Sequence, residues 1–172
     1  MTNSLLVQWV RQFIREFGAV NVKSPLKSAK CSQAWKPPTN FVFKVNVPAT
    51  IFSSQHMCGV GVVIKDEMGL VVGALSKMLN FPLGSLEAEA KAFEKGVLFA
   101  KDIGIHEIIL EGDSMVVSNA ILGKSPPSSI ASVVYGIVSL SRRFEVSHVC
   151  RNGSMTAHLL VKHAKGVGHY VT

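Results

Sequence analysis

The chain has no cysteine framework. Its three cysteines, Cys31, Cys58 and Cys150, are odd in number, far apart and include no C-x-x-C pair. That pattern argues against a disulfide scaffold or a cysteine zinc site. It reads as reduced thiols in a cytosolic or nuclear protein. Long apolar runs are missing as well, and those present are too short or too interrupted to cross a bilayer, so no membrane partner is expected. Met1-Thr2-Asn3-Ser4 lacks the basic start of a secretory signal. Nuclear or cytoplasmic localisation is therefore the expectation. Internal repeats are absent. Acids are scarce, with 11 Asp and Glu against 18 Lys and Arg, for a net charge of +7.

What is present suits a folded domain. A hydrophobic share of 48% over 172 residues is enough for a sizeable core and argues against disorder. The charge is uneven. Residues 1–40 carry six basic side chains against Glu16 alone, whereas the remainder carries twelve basic against ten acidic. A basic arm before a nearly balanced domain is compatible with a polyanionic partner, and equally with a solvated linker. Leu6, Trp9, Val10, Phe13 and Ile14 recur at helical spacing and predict a short amphipathic helix over 5–14. A weaker alternative there is an arginine-bearing transit peptide. Residues 18–40, with Pro25, Pro37 and Pro38, read as a linker. The expected division is a helix and basic linker over 1–34, a domain over 35–166 and a tail over 167–172.

Within the domain, Phe41–Val47 is strand-like and Pro48 is expected to stop it. Cys58–Lys65 and Leu70–Met78 flank the turn Asp66-Glu67-Met68-Gly69 and predict a hairpin. Ser85 is a plausible N-cap for a helix reaching about Lys101. A short buried strand at Ile108–Leu110 precedes a helix that follows Asp113. Another helix is expected over Ile130–Leu140, a strand over Glu145–Cys150 and a last helix over Ser154–Lys165. A hairpin followed by strand–helix alternation implies a mixed sheet with helices on its faces.

Two acids stand at element ends, Glu89 in Ser85-Leu86-Glu87-Ala88-Glu89-Ala90 and Asp113 in Glu111-Gly112-Asp113-Ser114. Acids so placed can converge on divalent cations through oxygen ligands. Taken singly, Glu89 could as well be a surface acid favoured by a helix dipole, and Asp113 a helix N-cap. Other segments join them in order: Trp35-Lys36-Pro37-Pro38, Lys44-Val45-Asn46-Val47, Gly59-Val60-Gly61-Val62-Val63-Ile64-Lys65-Asp66, Ser147-His148-Val149-Cys150-Arg151 and Ala157-His158-Leu159-Leu160. Together they resemble the ribonuclease H-like domain, in particular the plant type related to retrotransposon reverse transcriptases, over about Trp35 to Gly166. The resemblance implies an α/β fold, a mixed five-stranded sheet flanked by helices.

It also implies a chemistry, metal-assisted hydrolysis of the RNA strand in an RNA–DNA hybrid. In the family, four carboxylates hold two divalent cations, usually magnesium, about 4 Å apart. Glu89 and Asp113 match two of those positions. The other two read Pro48 and His158. Proline offers only a backbone carbonyl. Imidazole is a poor magnesium ligand, though it can take manganese. Asn46 and Glu111 are the nearest substitutes. Arg151 is a candidate phosphate contact, or a plain surface arginine. His148 and His163 suit packing or surface roles. Gly59-Val60-Gly61 lacks the strand–loop–helix setting of a dinucleotide fingerprint.

The resulting expectation is a monomeric ribonuclease H-like domain that binds nucleic acid, an RNA–DNA hybrid or RNA. Its cofactor, if it is active, is Mg2+ or Mn2+, and its hybrid ribonuclease activity is weak or lost. The alternatives are a non-catalytic interaction module and a truncated retrotransposon remnant.

Overall fold

The computed structural model describes residues 37–38, 41–80, 82–140 and 144–149, with positions 12, 161 and 170–171. The expected helices over 5–14 and 154–165, and most of the linker between 18 and 40, fall outside the described residues.

The strands are β1 (Phe43–Asn46), β2 (Ala49–Phe52), β3 (Met57–Lys65), β4 (Val71–Leu79), β5 (Ile108–Gly112), β6 (Phe144–His148) and β7 (Tyr170–Val171). The helices are α1 (Ser85–Asp102), α2 (Met115–Ile121) and α3 (Ala131–Leu140). One sheet runs β6-β5-β1-β3-β4-β7, with β2 also paired to β3. Strands β1, β5 and β6 are parallel, and the β1–β3–β4 part is antiparallel. The mixed α/β sheet is the one expected.

Strand β1 stops just before Pro48, as expected, but β2 resumes directly beyond it. Lys44 pairs with Lys65 and Asn46 with Val63; beyond the proline, Ala49 pairs with Val60 and Phe52 with Met57. The register is unchanged across the interruption. The Gly61 N–H donates to the Pro48 carbonyl at 3.0 Å, which closes the gap between β1 and β2. Proline costs the ladder only its missing N–H. The β1 and β2 segments are thus one long strand, and merging them with β3 to β6 leaves the five strands expected, plus the two-residue β7.

Side chains alternate across the sheet. On one face Val45, Val47, Val60, Val62, Ile64 and Leu110 are buried beneath α1. This helix presents Ala88, Ala92, Phe93, Gly96, Val97 and Phe99 at the three- and four-residue spacing of a buried stripe. Each fully buried large apolar side chain contributes roughly 1.5–3 kcal/mol. Gly96 has no side chain because Val47 occupies that space. Gly84, not Ser85, is the N-cap of α1. At the other end Gly104 takes a left-handed φ of 80°. The N–H groups of Gly104 and Ile105 then return to the carbonyls of Lys101 and Ala100, at 3.0 and 2.9 Å. Val134 and Ile137 of α3 and Val117 of α2 complete this layer.

Candidate active site

The C-terminal ends of β1 and β5 lie side by side. Asn46 pairs with Glu111, and the Val47 N–H donates to the Glu111 carbonyl at 3.0 Å. Two residues further along each strand stand Pro48 and Asp113. The parallel register, carried on by two residues, sets position 48 alongside Asp113.

Helix α1 packs against the end of β5. The ring of Phe93 fills the space where a side chain on Gly112 would stand. Phe93 therefore lies on the residue preceding Asp113. Glu89 is one helical turn before Phe93, on the same side of the helix and about 5–6 Å nearer its start. Its Oε2 is shielded from solvent. The sequence treats Glu89 as opening the helix, and the structure puts it in the second turn. Burial pushes the Cys58 thiol up to about 11, and the charge of Glu89 adds to the shift. Glu89 thus sits within electrostatic reach of β3 as well as near β5.

Asp113 is half-buried and is not the cap of α2. The capping side chain is Ser114, whose Oγ accepts the Val117 N–H at 3.4 Å. His148 has a structural role beside it: its Nε2 lies 3.2 Å from the main-chain oxygen of Asp113 and donates to it in the Nε2–H tautomer. His158 and Arg151 lie outside the described residues.

The two suggested substitutes are engaged elsewhere. Glu111 is fully buried, its Oε1 2.6 Å from Lys44 Nζ and its Oε2 2.7 Å from Asn46 Nδ2. Both carboxylate oxygens are bonded inside the protein, so neither Glu111 nor Asn46 stands in for a missing metal ligand. Lys65, the cross-strand partner of Lys44, joins this cluster. Burial holds its ammonium below the usual lysine range, with Glu111 opposing and Lys44 adding to the depression. The pairing of Lys44 with Glu111 escaped the sequence reading. Its only signal is a lysine two residues before Asn46 in an otherwise apolar strand, the period that puts both on one face.

Among the described residues, four carboxylates around two cations are not assembled. Position 48 contributes a carbonyl already bonded to Gly61. Among the described residues no group of three or more His, Cys, Asp or Glu could hold a metal ion. The described donors do not fit the family's metal pair.

Solved structures with the same fold share little sequence with the chain. Ribonuclease H1 from the halophilic archaeon Halobacterium salinarum superposes with a TM-score of 0.65 at 19% identity, covering 72% of this chain and 97% of its own. LC11 ribonuclease H1, isolated from compost by a metagenomic approach and solved with an RNA/DNA hybrid, gives 0.64 at 18% identity, over 70% and 94%. A foamy viral protease–reverse transcriptase, also solved with an RNA/DNA hybrid, gives 0.57 at 14% identity, over 91% of this chain and 26% of its own. Comparison with curated protein sequences returns no match. Residues 46–164 match the sequence profile of the family described as reverse transcriptase-like. With the strand order above, the chain belongs to the reverse transcriptase-like family and carries a ribonuclease H-like fold.

Proposed function

We propose that this chain is a nucleic-acid-binding ribonuclease H-like domain whose hybrid-cleaving chemistry is weak or absent. The observation that carries the reading is Pro48. It occupies the strand position alongside Asp113, and its only oxygen is spent on the β3 ladder. Glu89 and Asp113 match two of the family's acid positions, but two carboxylates offset only half the charge of a pair of divalent cations. Binding is favoured over cleavage because a polyanion needs only positive charge, and the chain has a surplus of seven, most of it in residues 1–40. An RNA–DNA hybrid is the ligand to try first, since two of the similar structures were solved as hybrid complexes.

The test uses the full chain. Hybrid affinity measured by fluorescence anisotropy should fall steeply with salt, as phosphate contacts require. Hybrid cleavage in magnesium and in manganese should be far slower than in the Pro48→Asp, His158→Asp variant. Turnover by the unmodified chain of about 1 per second or more would overturn the loss of chemistry. Affinity that ignores salt would overturn the nucleic-acid reading and favour a protein-interaction module.

A further inference from the structure

Residues 122–129 join two uncharged helices, α2 and α3. Ile121 and Ile130 at the two ends are buried in the core. Every residue between them is exposed except Pro126, which is half-buried. Backbone hydrogen bonds hold both ends of the loop. The N–H groups of Gly123 and Lys124 return to the carbonyls of Ala120 and Asn119, at 3.2 and 3.0 Å. Those of Ile130 and Ala131 reach the carbonyls of Pro127 and Ser128, at 3.1 and 3.4 Å. Between these two closing turns Ser125-Pro126-Pro127 is neither helix nor turn. Ser125 and Pro126 each precede a proline, whose ring disfavours the helical region for the residue before it. The loop therefore presents a serine on exposed, extended backbone that is anchored at both ends.

We propose that Ser125 is a phosphorylation site for a proline-directed serine/threonine kinase. A kinase takes its acceptor as an extended segment, and a loop already exposed in that form enters without local unfolding. Pro126 supplies the selectivity. In a pocket with no acceptor for the residue after the serine, any other residue would strand a buried N–H, and proline has none. Ser128 and Ser129 are equally exposed but are followed by Ser129 and Ile130. In the transfer, Ser125 Oγ bonds to the γ-phosphorus of ATP, and the bond from that phosphorus to the oxygen bridging the β-phosphate breaks. ADP leaves with the electron pair, and the seryl proton passes to the catalytic base of the kinase. Lys124 is the one charged residue of the loop. The phosphate brings about −1.5 to −2 at pH 7, so the modification reverses the sign of the loop.

The test incubates the full chain with a purified proline-directed kinase, magnesium and ATP. Ser24-Pro25 is the other Ser-Pro step in the sequence, so the assay runs in a Ser24→Ala background. Mass spectrometry of the folded chain should find one phosphate, on Ser125. Ser125→Ala should abolish it. Pro126→Ala keeps the hydroxyl and should slow the transfer roughly tenfold or more. Ser128→Ala and Ser129→Ala should leave the rate unchanged. Far-ultraviolet circular dichroism of every variant should match that of the parent, which separates loss of the site from loss of the fold. A folded chain that takes up no phosphate at Ser125, or takes it up only after thermal unfolding, overturns the proposal. Transfer that is as fast in Pro126→Ala overturns it too. These readouts do not depend on hybrid binding or cleavage.

Discussion

Strands β1 and β5 have two faces of opposite character, both buried. Toward α1 stand Val45, Val47 and Leu110, all fully buried and apolar. On the other face stand Lys44, Asn46 and Glu111, equally hidden but polar and mutually bonded. Val161 lies on this second side of the sheet, where a side chain on Gly59 would stand. The difference teaches how each face holds register. An apolar face tolerates small shifts, because dispersion and burial have little direction. A buried carboxylate with two short bonds does not, because sliding β5 by one residue would strand the charge. The polar face therefore fixes how far β5 reaches beside β1, and so where Asp113 emerges.

The sharpest way to break that comparison is to remove one charge. Lys44→Met leaves Glu111 buried with Asn46 and only the more distant Lys65 to balance it. The expected loss is about 3 kcal/mol in chemical denaturation, at the low end for breaking a buried pair. Adding Glu111→Gln to Lys44→Met should recover most of it, since the amide oxygen still accepts from Asn46. If the double variant is no more stable than the single one, the pair does not set the register.

A second test probes the apolar face from the thiol side. Cys58 titrates at about 11 when folded, against 9.0 as its ordinary value, through burial first and Glu89 second. A folded pKa raised in this way contributes fully below the unfolded value and is lost as pH rises through the folded one. Stability should therefore fall by about 2–3 kcal/mol between roughly pH 9 and 11. Lysines titrate in that range too, so the readout is the difference from Cys58→Ala, whose decline should be shallower. Glu89→Gln should narrow the gap by lowering the Cys58 pKa. No change with Glu89→Gln would remove Glu89 from the neighbourhood of β3.

Gly112→Ala tests the close approach on which the placement of Glu89 depends. A methyl group there meets the buried ring of Phe93. Overpacking of this kind costs about 1–3 kcal/mol. A denaturation midpoint equal to the unmodified chain would mean that Phe93 can move away, loosening the link between α1 and the end of β5.

The hairpin, α1, β5 and the uncharged helices were legible because their periods are clean and Gly or Pro punctuates them. The pairing of Glu89 with Asp113 is implied by resemblance alone, since they are 24 residues apart and no local pattern joins them. Strand β2 was missed for a physical reason: proline marks the end of most central strands, and nothing local shows that Gly61 still donates to its carbonyl. The roles of Asn46 and Glu111 were misjudged because their partner Lys44 lies 67 residues from Glu111. Sequence spacing along one strand shows a shared face but not what stands on the neighbouring strand.

The smallest expected effect concerns that same proline. Alternate residues of the first strand point their N–H groups to opposite neighbours. The N–H groups of Phe43 and Val47 go toward β5, at Glu107 and Glu111. Position 48 is of the other parity and faces Gly61 of β3, where the Gly61 N–H already donates. The reciprocal bond, from an N–H at position 48 to the Gly61 carbonyl, is the one that proline forbids. Pro48→Ala should restore it. The gain of about 0.5–1.5 kcal/mol from one bond is largely offset by the added freedom of the unfolded chain, about 0.4–1 kcal/mol. Net stability is then a blunt readout, and hydrogen exchange a sharp one. The new amide at position 48 should exchange as slowly as those of Asn46 and Thr50, which flank it in the same ladder. Fast exchange at that position would mean that β1 and β2 are two strands after all, and that the corner beside Asp113 is open rather than closed by the sheet.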